Sequence, residues 1–269
     1  VTVRDWIVYA TERLAKAGVS QARLEAQLLL AHALRIDREW LLLLDEHPAP
    51  DDARRLLERR LTGEPIAYII GWREFYRRRF EVNPAVLVPR PETEILVEAV
   101  LELAKPGDRC LDVGTGSGCI GVTCALERPD TRWILTDVSP QALAVARRNA
   151  ERHGAPCQFL LADALSAFRL GSVDLIVCNP PYIPHGDPRL EPSVRRFEPA
   201  SALFAGATGL EFFERLAAEA PAVLAQGGVL AVEVGQGQAD AVAALFRSAT
   251  ERAVRKDLAG MARVVIAIF

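Results

Sequence analysis

The tetrapeptide Asn179-Pro180-Pro181-Tyr182 follows the apolar run Leu175-Ile176-Val177-Cys178. The run reads as a strand, so the tetrapeptide stands at a strand's carboxyl end. Its residue types suit the holding of a planar NH2 group. An amide or amine nitrogen of that kind is a poor nucleophile, because its lone pair is delocalised. Two acceptors that take its N–H bonds orient the lone pair toward an electrophile. The Asn179 side-chain oxygen and the Pro180 backbone carbonyl can be those acceptors, and the two prolines fix φ and hold the carbonyl in place. Tyr182 offers a ring to stack on the planar group. Positioning for in-line attack on a methyl carbon then supplies most of the rate. No strong base is needed beforehand, since the alkylated nitrogen sheds its proton readily.

A proline-rich turn could carry the same four letters, and the residues upstream weigh against that. Leu111-Asp112-Val113 reads as a strand and runs into Gly114-Thr115-Gly116-Ser117-Gly118, which opens a helix. Glycines there allow positive φ and close approach of a ligand, at the strand end where open α/β sheets bind ligands. The spacing is G-x-G-x-G, not the G-x-G-x-x-G of a dinucleotide site. Asp112 is expected to place a carboxylate near the ligand, which favours a cationic sulfonium over a pyrophosphate. Asp137 ends the next strand and can accept from ribose hydroxyls. Asp163 ends the third strand and can accept from an exocyclic adenine amine.

Composition narrows the classes. The chain has 269 residues, half of them hydrophobic and a quarter charged, as in a globular protein. A net charge of −3 gives no general pull toward nucleic acid or an acidic membrane. The five cysteines form no C-x-x-C pair and sit mostly in apolar runs, so free thiols in a reducing compartment are expected. The four histidines are scattered, so no metal site is expected. Neither a signal peptide nor a membrane span is read.

These side chains must be held by a scaffold, and hydrophobic periodicity outlines it. Residues 1–75 read as four or five short helices, with Leu24, Leu28, Ala31 and Leu34 at helical spacing. Residues 76–90 read as a β-hairpin linker, broken by Asn83-Pro84 and ended by Pro89-Arg90-Pro91. Residues 91–269 alternate helix and strand, which predicts an α/β domain with a mostly parallel sheet covered on both faces. The last two strands have no helix between them, so one of them is expected to run antiparallel.

The sequence resembles the release factor glutamine N5-methyltransferases of the HemK/PrmC family along nearly its whole length. The resemblance rests on Gly63-Glu64-Pro65-Ile66-Ala67-Tyr68, Arg73-Glu74-Phe75-Tyr76, Val88-Pro89-Arg90-Pro91-Glu92-Thr93-Glu94, the glycine turn, Thr136-Asp137-Val138-Ser139-Pro140, Asn179 to Ile183, and Phe197-Glu198-Pro199. The Asn-Pro-Pro-Tyr motif is shared with nucleic-acid methyltransferases acting on adenine N6 or guanine N2. The Pro-Arg-Pro-Glu-Thr-Glu segment is far more specific.

The resemblance implies a class I methyltransferase domain, Rossmann-like and seven-stranded, with a helical N-terminal domain that recognises the substrate. It implies S-adenosyl-L-methionine as cofactor, S-adenosyl-L-homocysteine as product, and a glutamine side chain in the Gly-Gly-Gln loop of peptide-chain release factors as substrate. Carried over by position, Gly114, Thr115, Gly116, Ser117, Gly118, Asp137, Asp163 and Asn179 bind the cofactor. Asn179, Pro180, Pro181 and Tyr182 hold the glutamine amide, and residues 89–94 wall the pocket. A cytoplasmic monomer with no direct nucleic-acid contact is expected. Arg77 stands where many members have glycine, Ala164 where some have an aromatic, and Met261-Ala262 where more polar residues are common. The segment from Ile183 to about Gly209 is long for a compact domain and is expected to be a binding loop.

Overall fold

The computed structural model describes the whole chain, Val1 to Phe269. It divides into two compact units, Val1–Trp72 with Glu191–Phe197, and Arg73–Leu190 with Glu198–Phe269.

The first unit is helical. Helix α1 (Val3–Lys16) starts at Thr2, whose hydroxyl accepts from Asp5 N–H, a cap of about 1 kcal/mol. After it come α2 (Ala22–Leu34), a 3-10 turn over Arg38–Leu43, α3 (Asp51–Leu61) and α4 (Ile66–Ile70). Helix α3 has Asp51 and Asp52 in its first turn and Arg59 and Arg60 in its last, the order that its dipole favours. Val3, Trp6, Ala10 and Leu14 line one face of α1 and pack with Ala26, Leu29, Leu30 and Leu57 in a common core.

The second unit opens within a hairpin of β1 (Trp72–Phe75), whose first residue closes the helical unit, and β2 (Arg78–Glu81). Its two-residue turn is Tyr76-Arg77, with φ of 46° and 61°. Both turn residues in the left-handed region match the twist of the strands. The hairpin therefore lies earlier than the expected 76–90. Such turns usually announce themselves through Asn or Gly, and this one does not. Asn83-Pro84 makes a separate turn instead, in which the Asn83 side chain accepts from Ala85 N–H at 2.9 Å.

The rest of the chain runs α5 (Glu94–Leu103), β3 (Arg109–Val113), α6 (Cys119–Glu127), β4 (Arg132–Asp137), α7 (Pro140–His153), β5 (Cys157–Leu161), β6 (Val173–Cys178), α8 (Pro192–Phe197, in the first unit), α9 (Ala200–Leu203), α10 (Glu211–Val223), β7 (Leu224–Glu233), α11 (Ala239–Leu245), β8 (Glu251–Lys256) and β9 (Ala262–Ile268). The sheet order is β5-β4-β3-β6-β7-β9-β8. Only β9 runs against the others, pairing antiparallel with both β7 and β8. This is the class I methyltransferase architecture, with the antiparallel strand among the last two as expected.

Alternation along β3 divides the core. Leu111 and Val113 face Phe213, Leu216 and Phe246 on one side of the sheet. Cys110 faces Leu96, Val100 and Val122 on the other. All five cysteines are free thiols, and Cys110, Cys119, Cys124 and Cys178 are buried. Burial pushes the Cys110, Cys119 and Cys157 thiols up to about 12. No helix is long and apolar enough to cross a membrane.

The topology reverses at β3. The chain moves outward through β4 and β5, then returns to place β6 on the other side of β3. A crevice opens at such a point, beyond the carboxyl ends of the two strands. Val113 pairs with Cys178, so the glycine turn and Asn179 leave the sheet side by side.

Candidate active site

A cavity of about 320 Å³ occupies that crevice. Gly114 to Ser117, Asp137, Asp163, Asn179, Pro180 and Pro181 all line it. Two regions separated by some sixty residues of sequence therefore meet at a single opening.

The glycine turn is shaped by its backbone. Gly114 and Gly116 have φ of 68° and 56°, and a Cβ added to either would meet nothing within 4 Å. The turn thus presents bare backbone to open space. Gly118 does a different job and does not line the cavity. It caps α6 with φ 81°, and an added Cβ would stand 3.1 Å from that of Ala146. Its place is in the packing of α6 on α7.

Asp112 departs from expectation. Its side chain is fully buried and lies outside the cavity lining. Oδ2 accepts from the Thr115 hydroxyl at 2.6 Å and from Gly121 N–H at 2.9 Å. The carboxylate braces the turn from behind instead of facing a ligand, because strand alternation points residue 112 under α6. Burial raises it to about 6, against the pull of those two hydrogen bonds.

Asp137 lines the cavity, with Oδ2 accepting from Gly116 N–H and Oδ1 from Ser139 N–H, both at 2.9 Å. Each oxygen keeps a lone pair for a further donor. Asp163 is exposed and ion-paired to Arg215 at 2.6 Å. The neighbouring Ala164 is buried in the cavity wall with φ 47°.

Asn179 donates from Nδ2 to the Thr93 hydroxyl at 3.2 Å. That bond engages the nitrogen side of the carboxamide, and Asn179 itself lines the cavity. Pro180 is buried and Pro181 half-buried. Tyr182 is not in the lining. Its ring lies close to Gly235, and its carbonyl accepts from Gln238 Nε2 at 3.0 Å. Burial, then the nearby Glu233, push its hydroxyl above the ordinary tyrosine range.

Four more residues belong to this region, three of them inside segments on which the family resemblance rests and one outside any. Arg90 and Thr93 line the cavity. Glu198 is nearly inaccessible, accepts from Val88 N–H at 3.1 Å and pairs with Arg90. The Phe-Glu-Pro and Pro-Arg-Pro segments are thereby joined, and Pro199, Ser201, Ala202 and Phe204 close one wall. Glu233, at the end of the apolar strand β7, is the one that none of those segments contains.

Comparison with known proteins gives this geometry a family. Residues 5–71 match the family described as PrmC N-terminal domain, and residues 91–201 match the methyltransferase small domain. A release factor glutamine methyltransferase from Nitratidesulfovibrio vulgaris is 42% identical over 279 residues, covering 99% of this chain and 95% of its own. Another from Bordetella pertussis is 45% identical over 251 residues, covering 90% and 93%. This chain belongs to the release factor glutamine methyltransferase family.

Solved structures agree on the fold. A Pyrococcus furiosus methyltransferase superposes with a TM-score of 0.53 at 20% identity, over 78% of this chain and 96% of that one. A T. thermophilus 16S rRNA N2 G1207 methyltransferase, in complex with AdoMet and guanosine, gives 0.52 at 18% identity, over 73% and 49%.

As a member of the release factor glutamine methyltransferase family, the chain is an S-adenosylmethionine-dependent methyltransferase. The cavity fits that cofactor chemically. Bare glycine backbone lies beside a carboxylate able to accept from hydroxyls, and no basic side chain stands on the glycine turn to demand a phosphate.

Proposed function

We propose that the enzyme methylates N5 of the glutamine in the Gly-Gly-Gln loop of peptide-chain release factors, at the cavity between the glycine turn and Asn179. The observation that carries this reading is the Asn179–Thr93 hydrogen bond, which frees the Asn179 oxygen to act as an acceptor with the Pro180 carbonyl, both residues lining the cavity. Together they match the two N–H bonds of a primary carboxamide.

Gly114, Thr115, Gly116, Ser117 and Asp137 would hold S-adenosylmethionine, with Asp163 near the adenine end. When bound, the cofactor supplies an electrophilic methyl carbon on a sulfonium. The chain's own residues do the rest. Asn179 Oδ1 and the Pro180 carbonyl orient the amide nitrogen and favour the positive charge that it gains on alkylation. Pro180 and Pro181 keep the acceptors rigid. Tyr182 supports the tetrapeptide from behind, through Gln238. The helical unit recognises the release factor, and the segment around α8 and α9 takes part in binding it.

Incubation with S-adenosylmethionine and a release factor, followed by mass spectrometry of the Gly-Gly-Gln peptide, should show one added methyl on glutamine. Asn179→Ala should reduce transfer at least 100-fold, the order expected when one group that stabilises transition-state charge is lost. Its affinity for S-adenosylhomocysteine should change little. Methylation of nucleic acid instead of the peptide would reject the proposal.

A further inference from the structure

Glu233 is a buried acid that no bond of the sheet requires. It follows Val232, which pairs with Cys178, so it ends β7 beside Asn179, the residue after β6. Residues Val229 to Val232 before it are apolar and buried, and Glu233 itself is 3% exposed. Its Oε2 has no hydrogen-bond partner. A buried carboxylate with one bare oxygen is costly to keep.

Thr93 and Asn179 stand near it and favour its charged form. Thr93 already accepts from Asn179 Nδ2, so its own hydroxyl proton is available to the carboxylate. The three side chains form a polar cluster behind the acceptor wall of the cavity, reached from β6, β7 and the 3-10 turn over Pro91–Thr93.

We propose that Glu233 is a positioning residue that acts with Thr93 on the Asn179 carboxamide, turning Oδ1 toward the substrate amide. The inference rests on the assignment of Asn179 as acceptor for that amide. A carboxylate can only accept, so it admits the nitrogen side of Asn179 and excludes the oxygen side. A protonated carboxyl can donate to Oδ1 and compete with the substrate. The buried negative charge also favours the positive charge that builds on the substrate nitrogen as the methyl group arrives.

The charge state of Glu233 is set by its surroundings. Burial raises it to about 7, with Glu92 acting in the same direction, while Thr93, Arg263 on β9 and Asn179 oppose. Arg263 is itself held by Asp257 at 2.9 Å. Tyr182, Cys119 and Cys178 also feel the Glu233 charge, and all three stay protonated near neutral pH.

The test measures kcat and KM for a Gly-Gly-Gln peptide, at saturating S-adenosylmethionine, from about pH 6 to about pH 9. Calorimetry of the same peptide binding to the S-adenosylhomocysteine complex gives a readout apart from turnover. In the wild type, kcat should rise with pH through one ionisation near neutrality. Glu233→Gln should lose that limb and lower kcat by about 10- to 100-fold, the scale seen when an orienting partner behind a metal-binding side chain is removed. It should also weaken peptide binding while sparing S-adenosylhomocysteine affinity. Glu233→Asp should restore the ionisation in part.

Wild-type kcat, pH profile and peptide affinity in Glu233→Gln, with Asn179→Ala inactive, would overturn the inference and leave the Asn179 assignment standing. An active Asn179→Ala would overturn both. Should Glu233→Gln fail to fold, Thr93→Val decides in the same way. Lost turnover with S-adenosylhomocysteine affinity retained supports the network, and unchanged turnover refutes it.

Discussion

Single residues in this fold take on meaning from what stands behind them. Asp112 belongs to the most recognisable stretch of the chain, yet it touches the turn and not the cavity. Its raised acidity has a consequence for stability. The native carboxyl keeps its proton up to about pH 6, whereas an unfolded aspartate releases it near pH 4. Between those values the native state binds more protons, so stability falls as pH rises. Such a shift is worth on the order of 3 kcal/mol. Below the window the two states are equally protonated, and above it the loss is constant. Asp112→Asn removes the titration, so urea unfolding should show the variant gaining on the wild type between about pH 4 and about pH 7. Glu233 is the counterpart that sequence reading passed over. An acid after Val229-Leu230-Ala231-Val232 looks like the solvated end of a strand, and only the parallel pairing with β6 shows it to be enclosed.

At the level of elements, the hairpin is the place where local chemistry and structure disagree most. Tyr76 and Arg77 both adopt positive φ, a conformation that costs an L-residue with a side chain roughly 1–2 kcal/mol. The turn is nevertheless held, with Tyr76 N–H donating to Glu94 at 2.8 Å. Arg77→Gly should relieve part of the cost, offset by glycine's greater freedom when unfolded. A gain of about 0.5–1 kcal/mol is expected, visible as a rise in Tm of a few degrees or less. The family's frequent glycine at this position was legible as a departure. Its meaning, a left-handed turn position, was not, because neither Tyr nor Arg marks a turn. The seven strands of the large sheet and the longer helices packed on it were legible, since their apolar runs are long and their caps, such as Ser139-Pro140 on α7, are conventional. The long loop was read as uninterrupted and contains α8 and α9, which at six and four residues are too short to show a period.

For the whole molecule, the division of the sheet into two apolar faces explains both how the site is held and how much of it could be foreseen. The crevice follows from strand order, and strand order follows from the alternation of elements, so Gly114, Asp137 and Asn179 could be placed together before any coordinates. What escaped was the pairing across the fold of two family segments, Glu198 bonded to Val88, and the residue that no motif marks, Glu233 behind Thr93. The same layered burial encloses four of the five thiols, with Cys157 half-covered. A thiol-reactive dye should therefore label the folded enzyme at no more than one site, and all five once urea exceeds the unfolding midpoint. Rapid labelling of several cysteines under native conditions would contradict the packing described. The slow remainder makes the enzyme its own clock. The rate at which Cys110, Cys119, Cys124 and Cys178 become modified reports how often the sheet opens, without any introduced probe.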